Sequence, residues 1–556
     1  MSARVERARA GHARLDRLSA RVAALRRPLA AAGFLLVLVG VDVPWATYSG
    51  FPGLMSLFFY PAGAKAYCLI LAIGFLLFVI PWDGRRAAAL VSLGGLTGVA
   101  LLTLLAIAKD GGGVVNVAVG AWLTLAGGTL GTLAALGLPP DADPRPWRRL
   151  PTPVEYVLMT LAFVGLLLAL VVMLNTADSP QFIAFLVAAI TAGVALTRLG
   201  IVAGVRSLTD RHARVGLVVG LLVVLAFPFT QNGSDYWLRV AASVGVFAAA
   251  AIGLNVVVGL AGLLDLGYVA FFGCGAYVAA LLSGANNSTV NLHLPFAAVF
   301  LIGAAVAAAF GLVIGAPTLR LRGDYLAIVT LGFGEIFRIT MGNDPGHKTN
   351  GPNGIFGIPD LNGPGFSFGD THDLFGIPLS NFANYYYLEV VLVVVVMVVF
   401  SRLNASRIGR AWVAIREDEV AAAAMGINTI NLKLLAFTIG AFLAGAAGTV
   451  SAHLATQVSP DSYTFLQSVL LLAAVVLGGM GTIPGAVVGS ALLIAIPEKL
   501  RSFHDYRLLL YGLALILMMR FRPEGMIANR RRQREFHDAD SGADAMSAPP
   551  GSVVNT

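Results

Sequence analysis

The chain has 556 residues, of which 57% are hydrophobic and only 12% charged, with a formal net charge of +8. Its mean hydropathy of +0.79 sets it apart from soluble domains, which carry about 25% charged residues, so water-soluble enzymes and binding modules are excluded. Apolar runs of the ~20 residues needed to cross ~30 Å of hydrocarbon recur along nearly the whole length, which makes the fold class an all-α polytopic membrane protein. Function then belongs to transport, channel activity or intramembrane chemistry.

In chain order, a basic N-terminal segment (1–27, with Arg4, Arg7, Arg9, Arg14, Arg17, Arg21, Arg26 and Arg27) precedes the first apolar run. It is too long and too arginine-rich for a cleaved signal peptide. Spans are predicted near Pro28 to Trp45, Ala66 to Trp82, Ala87 to Ala108, Val114 to Leu136, Pro153 to Leu174, Gln181 to Val202, Val215 to Thr230 and Trp237 to Gly259. A second series follows near Gly262 to Leu282, Leu294 to Ala316, Asp324 to Met341, Tyr385 to Phe400, Leu432 to His453, Thr464 to Met480, Pro484 to Pro497 and Tyr506 to Phe521. That makes about sixteen crossings, with 262–282 and 484–497 rich enough in Gly and Pro to be broken or re-entrant.

Arginine-bearing loops alternate with arginine-poor ones: Arg85 and Arg86, Arg145 to Arg149, Arg198 to Arg214, Arg320 and Arg322, Arg402 to Arg416, and Arg530 to Arg534. The positive-inside rule places all of these, and both termini, in the cytoplasm. No aromatic interleaving accompanies the basic residues, so nucleic acid is not an expected partner. Cys68 and Cys274 lie in apolar stretches and give neither a disulfide framework nor a metal site.

The chain changes character near residue 215. Residues 28–214 read as an accessory membrane region of about six spans, with no buried charge expected in it and hence no second transport path. Residues 215–527 carry glycine-dense spans, a polar loop at 342–384 and a charged cytoplasmic segment at 403–430. The segment 528–556 has the composition of a disordered tail.

Four stretches of the second region carry candidate chemistry. In "GLNVVVGLAGLLDLGYVAFFGCGAYVAALL", Gly253 to Leu282, glycines including Gly267 and Gly273 allow close helix packing, while Asp265 either caps a helix or marks a functional site. In "PTLRLRGDYLAIVTLGFGEIFRI", Glu335 and Arg338 stand three residues apart inside a span and are expected to face the same way, beside Gly332 and Gly334. That pair either lines a polar pathway or locks helices together. The arginine-poor loop contains "TNGPNGIFGIP", whose turn-forming residues Asn350, Gly351, Pro352, Asn353 and Gly354 would give a shaped outer surface, either a docking surface or a lid. Finally, "AWVAIREDEVAAAAMG" is a short helix with an apolar stripe through Trp412, Val413 and Ile415 and a stop at Gly426. It is either a lever for a soluble partner or an interfacial anchor.

Together with "SRIGRAWVAIREDEVAAAAMGIN" and "GGMGTIPGAVVGSALL", these stretches, in this order, resemble the LivM-type permease subunit of branched-chain amino acid ABC importers over roughly residues 215 to 527. The resemblance implies that Arg416, Glu417, Asp418, Glu419, Ala421, Ala422 and Gly426 belong to a cytoplasmic coupling helix that seats on an ATPase. Val420 stands where the usual motif has a glutamate. It further implies a LivH-like second permease, two ATPase subunits of LivG and LivF type, and an extracytoplasmic amino acid-binding protein, in the plasma membrane of a bacterium. Asp265, Gly267, Gly273, Gly332, Gly334 and Glu335 become translocation-pathway candidates, and 350–354 the docking candidates. No G-x-x-x-x-G-K-[ST] loop occurs in the sequence, so ATP and magnesium are expected on the partner ATPase, with no cofactor and no catalytic residue on this chain. The alternatives are a urea or short-amide import permease, and an ion-coupled secondary transporter using Asp265, Glu335 and Glu389.

Overall fold

The computed structural model describes residues 25–46, 63–80, 82–110, 112–139, 141, 150–176, 179–231, 235–288, 290, 292–318, 325–363, 366–374, 377–499 and a few positions between 512 and 527. The N-terminal arginines up to Arg21, the turn bearing Arg320, Arg322 and Asp324, most of the span expected at Tyr506 to Phe521, and the tail 528–556 lie outside the described residues. Ten helices among the described residues are long and apolar enough to cross a membrane, and Ala64–Phe78, Tyr268–Leu282 and Phe465–Gly478 are shorter apolar helices. The chain divides into two compact units, Met1–Val224 and Leu225–Thr556.

The first unit begins with α1 (residues 25–42), α2 (Ala64–Ala72), α3 (Arg85–Asp110), α4 (Val119–Leu136), α5 (Thr152–Asn175) and α6 (Ser179–Arg198). Its core is aliphatic and aromatic, with Val37, Trp45, Cys68, Leu93, Leu96 and Ile107 fully buried. The span expected to run to Val202 instead stops at Arg198. Gly200 adopts φ 74, a left-handed stop that other residues rarely supply. A separate helix, α7 (Ile201–Arg211), follows with Arg206, Asp210 and Arg211 on it, and then α8 (Ala213–Ala226).

Two buried charged side chains correct the expectation that this region has none: Lys65 and Glu155. Both are partnered, as buried charge requires. Lys65 Nζ donates to the Val43 carbonyl at 3.1 Å and lies over the Trp45 ring. Glu155 accepts from Arg211 Nη1 at 3.1 Å and meets His212 Nε2 at 2.7 Å.

The second unit is built on α9 (Asp235–Asn255), α10 (Tyr268–Leu282), α11 (Phe296–Thr318), α12 (Tyr325–Gly342), α13 (Asn381–Ala405) and α16 (Thr429–Ala455), with α17 (Phe465–Gly478) and α18 (Ile483–Lys499) against α9. Between α13 and α16 lie α14 (Arg407–Glu417) and α15 (Glu419–Ala424). Helix α16 packs on both α10 and α11, and small residues let it come close. A Cβ at Gly275 of α10 would collide with the Gly445 backbone of α16, so the glycine is needed for that approach. The C-terminal end of α9 widens into a π-type turn at Val256–Leu260. The following residues to Gly267 are non-helical, so the segment expected at Gly262 to Leu282 is broken and only its second part is helical. At 15 residues, α10 is about 22 Å long, short of a full ~30 Å crossing.

Candidate functional site

Four places in the second unit carry the candidate residues. The first is the helix pair α14–α15. Ser406 caps α14 by accepting from Gly409 N–H at 3.1 Å. The apolar stripe turns inward: Trp412 and Ile415 are buried, and Trp412 Nε1 donates to the Leu432 carbonyl of α16 at 2.7 Å. The expected single helix is in fact two, separated at Asp418, which is extended (φ −153, ψ 107). The reason is local: Asp418 Oδ1 takes the N–H groups of Val420 and Ala421 at 2.8 and 2.9 Å, starting a new helix instead of continuing the old one. Gly426, at φ 84, ends the motif.

The break sorts the coupling candidates. Ala422 is buried, Glu419 bonds Lys433 of α16 at 2.6 Å, and Arg416 points back into the protein, its Nη1 donating to the Gly259 carbonyl at 2.8 Å. Glu417, Asp418, Ala421 and Gly426 are exposed. So are Val420 at the start of α15 and Met425 at its C-cap, at 72% and 83%, two exposed apolar side chains.

The second place is the break between α9 and α10. The π-type turn turns the Gly259 carbonyl toward Arg416, and Gly262, at φ 72, sits against the Arg416 side chain where a Cβ would clash. Asp265 is buried and accepts the Gly267 N–H at 2.9 Å, closing the turn ahead of α10. Its Oδ2 has no partner among the described residues. Gly267 abuts the Thr330 carbonyl of α12 so closely that a Cβ would not fit, and Leu266 N–H donates to Thr330 Oγ1 at 3.1 Å. Gly334 and Gly273 extend this contact: the first lies over Gly267, the second under the Phe337 ring.

The turn has a support that the sequence reading missed. Asn255, fully buried, receives the Gly481 N–H on Oδ1 at 2.7 Å and donates through Nδ2 to the Thr482 carbonyl at 2.9 Å. An asparagine isolated in an apolar span was the available signal.

The third place is α12. Arg338 Nε donates to Glu335 Oε2 at 3.0 Å, so the two do face the same way. Gly332 differs from Gly334: nothing lies within 4 Å of where its Cβ would be. Glu389, the remaining ion-coupling candidate, is buried on α13 against Gly245 of α9, and neither carboxylate oxygen has a partner among the described residues.

The fourth is the loop after α12. Asp344 Oδ1 gathers Thr349 N–H at 2.7 Å, Asn350 N–H at 3.0 Å and the Thr349 hydroxyl at 3.1 Å. Burial pushes the Asp344 carboxyl up, but these donors and the nearby His347 outweigh it and hold it below the usual carboxylate range. Asn350 Nδ2 and Asn287 Nδ2 both donate to the Gly354 carbonyl, and Ile355–Phe356 pairs antiparallel with Gln457–Val458. Gly351 and Gly354 are therefore internal, whereas Asn350, Pro352, Asn353 and Phe356 are presented outward.

Comparison with known proteins agrees with this architecture. The family described as branched-chain amino acid transport system / permease component matches residues 236–519. The chain is 42% identical over 329 residues to the high-affinity branched-chain amino acid transport system permease protein LivM of Salmonella typhimurium, covering 57% of this chain and 75% of that one. Identity to the LivM of Escherichia coli is 41% over the same length and shares. The LivH permease of Escherichia coli is 35% identical over 128 residues, 22% of this chain and 41% of its own. No solved structure gives a significant match. With ten long apolar helices among the described residues and a family match that begins just inside the second unit, the chain belongs to the branched-chain amino acid transport system permease family.

Proposed function

We propose that this chain is the LivM-type permease subunit of an ATP-binding cassette importer that carries leucine, isoleucine and valine into the bacterial cytoplasm. It works beside a LivH-like permease, two separate ATPase subunits that hold ATP and magnesium, and an extracytoplasmic binding protein. Both termini and α14–α15 face the cytoplasm, as the arginine distribution requires, and the loop after α12 faces outward.

One observation carries the mechanism. From α14, Arg416 holds the Gly259 carbonyl; from there the backbone runs through Asp265 to Gly267, which is wedged against Thr330 of α12. Closure of the ATPase dimer displaces α15 through the exposed apolar side chains of Val420 and Met425 at its two ends. That displacement passes along this short, closely packed route to α12 and biases the permease between inward-open and outward-open states, each subunit acting only through its differential affinity for the two. Packed backbone without side-chain slack transmits such a shift well. Asn350, Pro352, Asn353 and Phe356 offer the loaded binding protein a surface held rigid by Asp344.

Gentle purification of the tagged chain from its native membrane tests the reading. A second permease and two ATPase subunits should accompany it, and leucine, in preference to urea, should compete for uptake by the preparation. A chain that arrives alone and remains active for uptake contradicts the coupling role of α14–α15.

A further inference from the structure

Helix α12 has two unlike faces. Phe333 and Phe337 turn toward aromatic side chains of α10, Phe271 and Tyr277. About 160° away around the helix, Gly332, Glu335, Ile339 and Gly342 share a face, and a Cβ added at Gly332 or Gly342 would meet nothing within 4 Å. Arg338 stands at the edge of this open face. Beyond it, from the short turn Pro460–Tyr463, comes Asp461, whose Oδ1 is 3.8 Å from Arg338 Nη1.

Three charges thus come together on a spanning helix and its neighbour, two of them half-buried and one exposed: the side chains of Glu335, Arg338 and Asp461 are 36%, 34% and 83% accessible. Such groups face hydrocarbon only at a cost of a few kcal/mol each. Arg338, about one turn from the end of α12, has the length to reach the membrane surface. Glu335 is shorter and lies about 10 Å in from Gly342, so its face of α12 borders water or another protein chain. The guanidinium is also incompletely used. Among the described residues its one hydrogen bond is from Nε to Glu335, and 3.8 Å is too long for a second to Asp461.

We propose that Glu335, Arg338 and Asp461 form the site on the translocation pathway that receives the zwitterionic head of the transported amino acid. The ligand's α-carboxylate takes the open Nη edge of Arg338, the fork geometry that carboxylates favour. Its α-ammonium takes Asp461. Both groups are bonded to one carbon through bonds of about 1.5 Å, so a single ligand reaches across the gap between Arg338 and Asp461. Glu335 is a positioning residue that fixes the guanidinium through Nε. The open glycines beside it leave room for backbone-level passage, and exposed Ile339, Phe465 and Leu466 supply apolar surface for a branched side chain. This inference rests on the substrate class proposed above and adds where this chain recognises it.

The test uses the complete reconstituted assembly with its binding protein. Ser462, exposed beside Asp461, is changed to cysteine; the two native cysteines are buried, so a membrane-impermeant thiol reagent reads position 462. Saturating leucine should slow modification of Ser462→Cys several-fold. Adding Arg338→Gln should abolish that protection and lower leucine uptake by about tenfold or more, while the partner permease still co-purifies. Modification indifferent to leucine in an actively transporting assembly overturns the site. So does loss of the partner permease from Arg338→Gln, which would make the three charges a subunit contact. If the assembly without Arg338→Gln imports no leucine at all, the substrate reading fails first and this site loses its ligand with it.

Discussion

Arg416 Nη1 donates to the carbonyl of Gly259 at 2.8 Å, joining the helix pair α14–α15 to the turn where α9 ends, 157 residues earlier in the chain. Gly259 lies in the last turn of the helical run, whose carbonyls lack intrahelical partners, and this last turn is the widened one at Val256–Leu260. This bond is the first link in the proposed route from the ATPase to the pathway, and one side-chain substitution removes it.

Replacing Arg416 with glutamine should therefore separate hydrolysis from transport. A hydrogen bond from a charged group contributes about 1.5–3 kcal/mol, so uptake should fall by about tenfold or more while ATP hydrolysis continues. Lysine, which lacks the planar fork, should restore it only in part. The ratio of leucine imported to ATP hydrolysed in proteoliposomes measures this; an unchanged ratio in Arg416→Gln removes the route.

Asp418 should behave as a cap and not as a charge. Asp418→Ala removes the acceptor for Val420 and Ala421 N–H groups and should cost α15 about 1 kcal/mol, lowering the same coupling ratio. Asp418→Asn keeps an acceptor and should stay near the parent value. Equal losses in the two variants would mean that the negative charge itself meets the partner.

Glycine substitutions should split by the space around each Cβ. Gly275→Val drives a side chain into the Gly445 backbone, and overpacking of this kind costs about 1–3 kcal/mol or more. Gly332→Ala enters open space and should leave thermal stability unchanged or slightly higher. Melting of the detergent-solubilised protein, followed through tryptophan fluorescence, distinguishes the two; comparable losses would contradict the packing of α10 on α16.

The loop after α12 should hold its shape from neutral pH down to about pH 4 and loosen below. Asp344 has a folded pKa held below its ordinary value of about 4. Its contribution is fully present above that unfolded value and disappears as pH falls through the lower folded one. Protection of the Thr349 and Asn350 amides against hydrogen exchange, corrected for intrinsic rates, reports it. Asp344→Asn should show weakened protection already at pH 7; full protection there would assign the loop's order to its other contacts.

Much of this was legible in the sequence where the signal is local. Spans follow from apolar runs, the Glu335–Arg338 contact from an i, i+3 spacing, the end of α15 from Gly426, and the Asp265 turn from an acidic residue just before an apolar helix. Other features needed three dimensions. Asp418 breaks the charged segment because a short carboxylate competes for backbone N–H groups, which composition alone does not decide: the same alanine-rich stretch scores as helix throughout. Asp461 reaches Arg338 from 123 residues away, and Asn255 clamps Gly481 and Thr482 from 226 and 227 away; neither spacing follows a helical period. The buried Lys65 and Glu155 were missed because their partners, a backbone carbonyl and a distant arginine–histidine pair, leave no pattern in the order of residues.

The most direct measurement is uptake of labelled leucine by proteoliposomes that contain this chain with its co-purified partners and loaded binding protein. With ATP inside the compartment corresponding to the cytoplasm, and no ion gradient, leucine should accumulate on that side, and non-hydrolysable ATP should abolish accumulation. Accumulation driven by a proton or sodium gradient without ATP would contradict the account and turn attention to Asp265, Glu335 and Glu389 as ion-coupling groups.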